Sequence, residues 1–335
     1  MRQAIAWRTA LLTVMLIVLV TLGLPLGFAA QQPGQVPRIA FLDFNSPPAA
    51  AEPTPLLDAF RHGLREHGWV EGRTIAIEWR WAAGRLDRFA DQIADVLRLP
   101  VEILVVPNAQ TAGIAKQATS TIPILVLGAG TLLDNGLVAS LARPGGNVTG
   151  YTIMSIELVL THLELLKEAL PGVTRVAVLR GLASYSTTLP KMEATARSLG
   201  MELRVFEVRE PTAFDRAFAA MTDAQAEALL VLAEPFLFAH YARIAALAVQ
   251  YRLPSIVVHR EGAEAGCLMA YGADRKVLRQ RAAAYVDKIL KGASPADLPV
   301  QQPTKFELVI NLKTAQALGL TLSPMFLFRA DAIIR

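Results

Sequence analysis

Asn108, Ala109, Gln110 and Thr111 are the residues whose types and position point most directly to ligand chemistry. They open a predicted helix straight after the apolar run 101–106, where free backbone N–H groups and the positive end of the helix dipole favour an anionic group such as a carboxylate. Asn108 or Thr111 can add a side-chain hydrogen bond, with Gln110 beside them. The plainer role, Asn108 as helix cap, is compatible with binding. Similar loops follow the other apolar runs. They place Asn45 in 44–47, Gly130 and Thr131 in 128–131, and Ser184, Tyr185 and Ser186 in 180–186. Glu234 and Phe236 lie in 233–236 and Arg260 in 258–262. In parallel α/β sheets, ligands bind outside the carboxyl ends of the strands, where such loops gather. Tyr185 and Phe236 offer rings for stacking. Glu234 suits an ammonium group or a helix N-terminus, and Arg260 with Glu261 suits either a functional pair or a local ion pair.

Arrangements for catalysis are missing. The five histidines show neither the helical His-Glu pattern nor close metal spacing, and no Gly-x-Ser-x-Gly elbow occurs. Gly128, Ala129 and Gly130 resemble a fragment of a phosphate loop but lack its remaining glycines and its Lys-Ser/Thr pair. The single cysteine, Cys267, lies in an apolar stretch and reads as a small core residue. No enzyme, metal or cofactor is expected.

The elements that position these loops come twice. Residues 64–68, the alternating run 74–81, residues 86–89, the apolar run 101–106, a helix and the run 122–127 form the first block. Residues 196–200, 202–208, 213–216, 228–232, a helix and 253–258 repeat it, so that Gly68 answers to Gly200, Arg88 to Arg216 and Pro123 to Pro254. Short β-branched-rich strands alternating with amphipathic helices predict a parallel sheet flanked by helices in each block. Two such lobes imply a cleft, and therefore a binding protein. The break at residues 143–150, rich in glycine with a proline, marks the first passage between lobes. A helix over 275–290 returns to the first lobe, and a strand at 306–310 and a helix at 312–318 complete the chain. The expected domains are 36–149 with the returning helix 274–291, and 150–272 with the C-terminal strand and helix in 303–320.

A chain of 335 residues, 53% of them hydrophobic, can bury two such cores without disulfides. Arg2 and Arg8 precede an uncharged apolar run over 9–31 that includes Gly27, Phe28, Ala29 and Ala30. A basic start, an apolar middle and small residues at 27 and 29 predict an export signal over 1–29, cleaved after Ala29. An uncleaved membrane anchor is the alternative, since the run approaches the length of a span. The net charge of +4 loses Arg2 and Arg8 with the signal, and no basic stripe interleaved with aromatics occurs, so nucleic acid is not an expected partner.

Five segments carry a resemblance. They are GLREHGWVEG (63–72), IEWRWA (77–82), GLVASLARPGGNVTG (136–150), YVDKILKGASPADLP (285–299) and QPTKFELVINLK (302–313). Together they resemble the exported substrate-binding proteins of ABC transporters, in the tryptophan/tyrosine-binding family, over nearly the whole chain after the signal. The resemblance implies an α/β type I periplasmic-binding-protein fold, with two Rossmann-like lobes, parallel sheets and a hinged cleft. It also implies a periplasmic location, a small-molecule ligand (an amino acid foremost) and delivery to a membrane permease driven by a separate ATPase. A monomer is expected. A sensor subunit presenting its closed form to a membrane receptor is the alternative. The strand-end loops depart from the family pattern more than the scaffold does: residues 108–111 stand where a Gly-Thr-Pro-Ala type loop is expected, and Glu234 and Pro235 where Asp-Pro is.

Overall fold

The computed structural model describes residues 36–335 apart from 45, 50–53, 131, 134, 153–155 and 182–187. The expected export signal (1–29) and the candidate residues Asn45, Thr131, Ser184, Tyr185 and Ser186 lie outside the described residues. Residues 37–335 form one compact unit.

The strands are β1 (Arg38–Asp43), β2 (Ala76–Trp81), β3 (Ile103–Val106), β4 (Ile124–Ala129), β5 (Val148–Thr152), β6 (Arg175–Arg180), β7 (Glu202–Glu207), β8 (Ala228–Val231), β9 (Ser255–Val257), β10 (Met269–Ala273), β11 (Phe306–Asn311) and β12 (Ala332–Ile334). The helices are α1 (Pro55–Glu66), α2 (Leu86–Val96), α3 (Ala109–Ala118), α4 (Ile156–Ala169), α5 (Leu189–Ser198), α6 (Phe214–Asp223), α7 (Pro235–Phe238), α8 (Tyr241–Gln250), α9 (Arg260–Glu264), α10 (Arg275–Leu290), α11 (Leu312–Leu318) and α12 (Pro324–Phe328).

One sheet has the order β2-β1-β3-β4-β5, all parallel. The other reads β7-β6-β8-β9-β10 and continues into β11 and β12. Its first five strands reproduce the order of the first sheet, so the repeat read in the sequence is a repeat of topology. Central strands such as β3 and β8 are apolar throughout and buried at every position, as a sheet covered on both faces requires. The edge strands β2 and β7 alternate instead and carry charge. Glu78 pairs with Arg38 and Arg80, and Glu207 with Arg180 and Arg209. Charges along an exposed edge discourage pairing with another chain.

The second sheet is not wholly parallel. β11 enters it from a passage between the sheets and so runs opposite to β10, while β12 runs parallel to β11. The returning helix α10 packs on α1 and against β4 and β5. The passages are tied together: the Gln301 N–H donates to the Gly150 carbonyl at 2.9 Å, the Thr152 N–H to the Gln301 carbonyl at 2.9 Å, and the Asp274 N–H to the Lys305 carbonyl at 3.3 Å. Within the sheets, two strands demand glycine against a neighbouring strand. A Cβ on Gly150 would lie 2.1 Å from the Val126 carbonyl oxygen, and one on Gly272 2.0 Å from that of Val258. At these positions β5 lies backbone on backbone against β4, and β10 against the end of β9.

Candidate functional site between the strand ends

In both sheets the order reverses between a first and a second strand, and the crevice outside their carboxyl ends is where such folds hold ligands. In the first sheet these are β1 and β3, which lead to Asp43 and Asn108. Asn108 caps α3. Its Oδ1 accepts from the Thr111 N–H at 3.0 Å, and the Asn108 N–H donates to Thr111 Oγ1 at 3.3 Å. Thr111 is fully buried. Those two side chains are thus engaged with each other, and the cap leaves the first-turn N–H groups of Ala109 and Gln110 directed past the strand end. Gln110 itself is exposed. Gly130, the first residue after β4, accepts from Thr152 Oγ1 at 2.8 Å through its carbonyl.

The matching strands of the second sheet, β6 and β8, lead to Gly181 and Glu234. Glu234 is buried, and its Oε1 accepts from the Gly181 N–H at 2.7 Å. A Cβ on residue 181 would meet Glu234 Oε2 at 2.5 Å, so the glycine and the acid fit as a unit. Phe236 stacks on Phe214 with centroids 5.8 Å apart and planes within 3°, which directs much of its ring into the core beneath α6 and α8. Arg260 and Glu261 do not pair with one another. Arg260 Nη2 bonds Glu307 at 2.5 Å, and Glu261 takes Arg275 Nη1 at 3.0 Å. Successive residues on a helix project about 100° apart, so each finds a partner on a different side.

Two residues outside the expected set carry buried polar atoms without partners. Arg279 of α10 is 4% exposed, its guanidinium 5.5 Å from the centroid of the Phe41 ring. Among the described residues it makes no hydrogen bond or ion pair, and its Nη1 is buried without a partner. Burial lowers its pKa to about 10, with Arg275 acting in the same direction and Asp43 and Glu261 against it. It stays charged at neutral pH. His259, directly after β9 and Val258, is 3% exposed, and both ring nitrogens are unpartnered. Its ring lies 4.3 Å from that of Phe238 and 6.4 Å from that of Tyr241. Burial and then Arg275 push its pKa down to about 3, so the imidazole is neutral. Glu261 completes the group with a buried, unpartnered Oε2. Burial would raise its pKa, but the charge of Arg275, with its hydrogen bond and a backbone N–H, outweighs that and holds it at about 2. The sequence does carry one signal for Arg279: it falls on the inner face of α10 among Leu278, Ala282, Ala283 and Val286, where a charge is out of place.

Glu261 and Arg275 also border a cavity of about 50 Å³ with Pro55 and Leu56 of α1. A larger, open groove of about 420 Å³, bordered by Thr174, Arg197 and Glu202, lies at the amino ends of β6 and β7 and away from these loops. Among the described residues no group of three or more His, Cys, Asp or Glu is placed to hold a metal ion, and no helix is long and apolar enough to cross a membrane.

The chain matches the family model of ABC transporter substrate binding proteins over residues 51–334. A tyrosine-binding protein of Clostridioides difficile is 23% identical over 273 residues, covering 79% of this chain and 78% of that protein. Two solved structures superpose closely. A conserved domain protein from Vibrio cholerae has a TM-score of 0.80 at 25% identity, covering 89% of this chain and all (100%) of that one. An ABC domain from Streptococcus pneumoniae in complex with L-Trp has a TM-score of 0.79 at 23% identity, covering 90% and 100%. The fold is one shared with solved periplasmic binding proteins. With a family match that spans most of its length, this chain belongs to the substrate-binding proteins of ABC transporters.

Proposed function

We propose that the protein captures a small ligand, an amino acid foremost, between the carboxyl ends of its two sheets and delivers it to a membrane permease driven by a separate ATPase. The observation that carries this reading is the paired crevice: the same strand order places Asp43 and Asn108 at one sheet's reversal and Gly181 and Glu234 at the other's. The names of the relatives, a tyrosine-binding protein and a domain holding L-Trp, support the amino-acid class. In this reading residues 36–149 with 274–291 are one lobe, and residues 150–272 with 303–320 the other. A ligand that touches both lobes only in the closed form favours that form and so drives closure. The first-turn N–H groups of α3 hold the ligand from one side, and the loops after β6 and β8 from the other. Export removes residues 1–29, and the mature chain works as a monomeric periplasmic receptor without turnover of its ligand.

Thermal unfolding against amino acids, sugars, nucleobases and small organic acids tests the reading. A ligand present at about a thousand times its dissociation constant adds roughly 4 kcal/mol, a clear rise in Tm. A flat response across every class would contradict capture.

A further inference from the structure

Buried polar groups nearly always have partners, and a buried charge without one costs several kcal/mol. The charged residues around Arg279 obey this rule: Arg275 bonds Glu261 at 3.0 Å and Arg260 bonds Glu307 at 2.5 Å. Arg279 does not, and neither does the imidazole beside it in this group, with both nitrogens of His259 buried and unbonded. The two come from opposite sides of the joint. Arg279 reaches over Phe41, two positions before the carboxyl end of β1, and His259 follows β9 in the other sheet. Arg279 thus lies beside the end of β1, within electrostatic reach of Asp43, and His259 just past the carboxyl end of β9, so a guest at these ends can satisfy them.

We propose that Arg279 is the anchor for the ligand's carboxylate, that the His259 ring adds a second hydrogen bond from the opposite sheet, and that the ligand class is accordingly a carboxylate. The assignment rests on the capture reading above. The chemistry is specific. A guanidinium presents a planar fork that matches a carboxylate with two parallel N–H···O bonds. The uncharged imidazole, with one N–H, can give one more without adding a second positive charge. The surroundings limit the guest's charge. Asp43 and Glu261 act on Arg279 together with Arg275, so these four charges already balance and every further negative charge on a guest adds repulsion from the acids. A phosphate dianion would meet repulsion from both acids. Phe41, Phe238 and Tyr241 supply the apolar and aromatic walls that strengthen such a contact by excluding water.

Removing an unpaired buried charge should not weaken the empty protein, whereas removing a structural ion should. The test therefore compares the mature chain with its Arg279→Met, Arg279→Lys and His259→Asn variants. Probes are L-tryptophan, L-tyrosine, L-leucine and benzoate, set against tryptamine, tyramine, glucose and inorganic phosphate, with Tm and calorimetric Kd as readouts. At least one of the acids is expected to stabilise the wild type, while its counterpart without the carboxylate does not. Arg279→Met is expected to weaken that acid by about 100-fold or more and to leave the ligand-free Tm unchanged or higher, with Arg279→Lys in between. His259→Asn is expected to weaken it about tenfold. An Arg279→Met protein that loses ligand-free stability or fails to fold, yet binds the acid normally where it folds, would overturn the assignment by showing a structural arginine. Equal binding of an amine, sugar or phosphate by wild type and Arg279→Met would overturn it too, while leaving capture intact. A wild type that responds to no probe would remove the capture reading, and this assignment with it.

Discussion

His162 and His259 are both 3% exposed, and each is held as a neutral imidazole below the ordinary histidine range. Burial brings His162 to about 4, although its Nε2 contact with the Tyr271 carbonyl at 2.6 Å works the other way. Burial and Arg275 bring His259 to about 3. The unfolded chain takes up both protons near pH 6.5 while the folded chain refuses them. The stability these groups contribute is therefore full above about pH 6.5 and is lost as the pH falls toward 4 and then 3. Two such groups give a slope approaching about 2.7 kcal/mol per pH unit within that window. Urea unfolding at pH 8, 6.5 and 5 measures it, and His162→Gln should roughly halve the slope. A midpoint that does not move between pH 7 and 5 would refute the buried neutral pair. At this scale the sequence was readable only in part. Glu234 stands at a strand end as its position implied, but its partner Gly181 lies 53 positions away and nothing local announces it. Arg279 belongs to a helix rather than a strand-end loop, so a survey of loops passes it over.

At the scale of elements, α3 shows how a binding loop and a structural cap share the same residues. The reciprocal Asn108–Thr111 bonds fix the helix start and aim its first N–H groups. Asn108→Ala is expected to cost about 1 kcal/mol of stability, and Asn108→Asp or Asn108→Ser much less, by denaturant titration. A neutral effect of the alanine would mean the cap is not held in solution. Long periodic elements were legible. The helix Arg275–Leu290 and the helix Leu312–Leu318 have the bounds their periodicity implies. The short pieces α12 and β12, with 5 and 3 residues, are not legible in the sequence, because fewer than two helical turns or two strand repeats give no period to read. The antiparallel entry of β11 was likewise hidden, since strand direction depends on where the chain comes from and not on its own residues.

Across the whole molecule, the doubled topology gives each sheet a reversal of strand order, and the passages between the sheets are hydrogen-bonded to one another. The repeat was visible in the sequence because each block has to bury its own sheet, which imposes the same apolar spacing twice. The tightness of β5 against β4 was not visible, because it depends on backbone meeting backbone. Gly150→Ala puts a Cβ 2.1 Å from the Val126 carbonyl at a φ of 135°. A loss of roughly 3 kcal/mol or more is expected, measured as a fall in the denaturant midpoint. A variant as stable as wild type would mean that the two stretches are not packed this closely.

The central claim is that one ligand is held by both sheets. A crystal structure of the mature protein grown with L-tryptophan or L-tyrosine, whichever raises its Tm more, tests this most directly. Ligand density is expected between the carboxyl ends of β1 and β3 and those of β6 and β8, with hydrogen bonds to residues of both sheets. Ligand held by one sheet alone, or seated in the groove by Thr174 and Arg197, would contradict it.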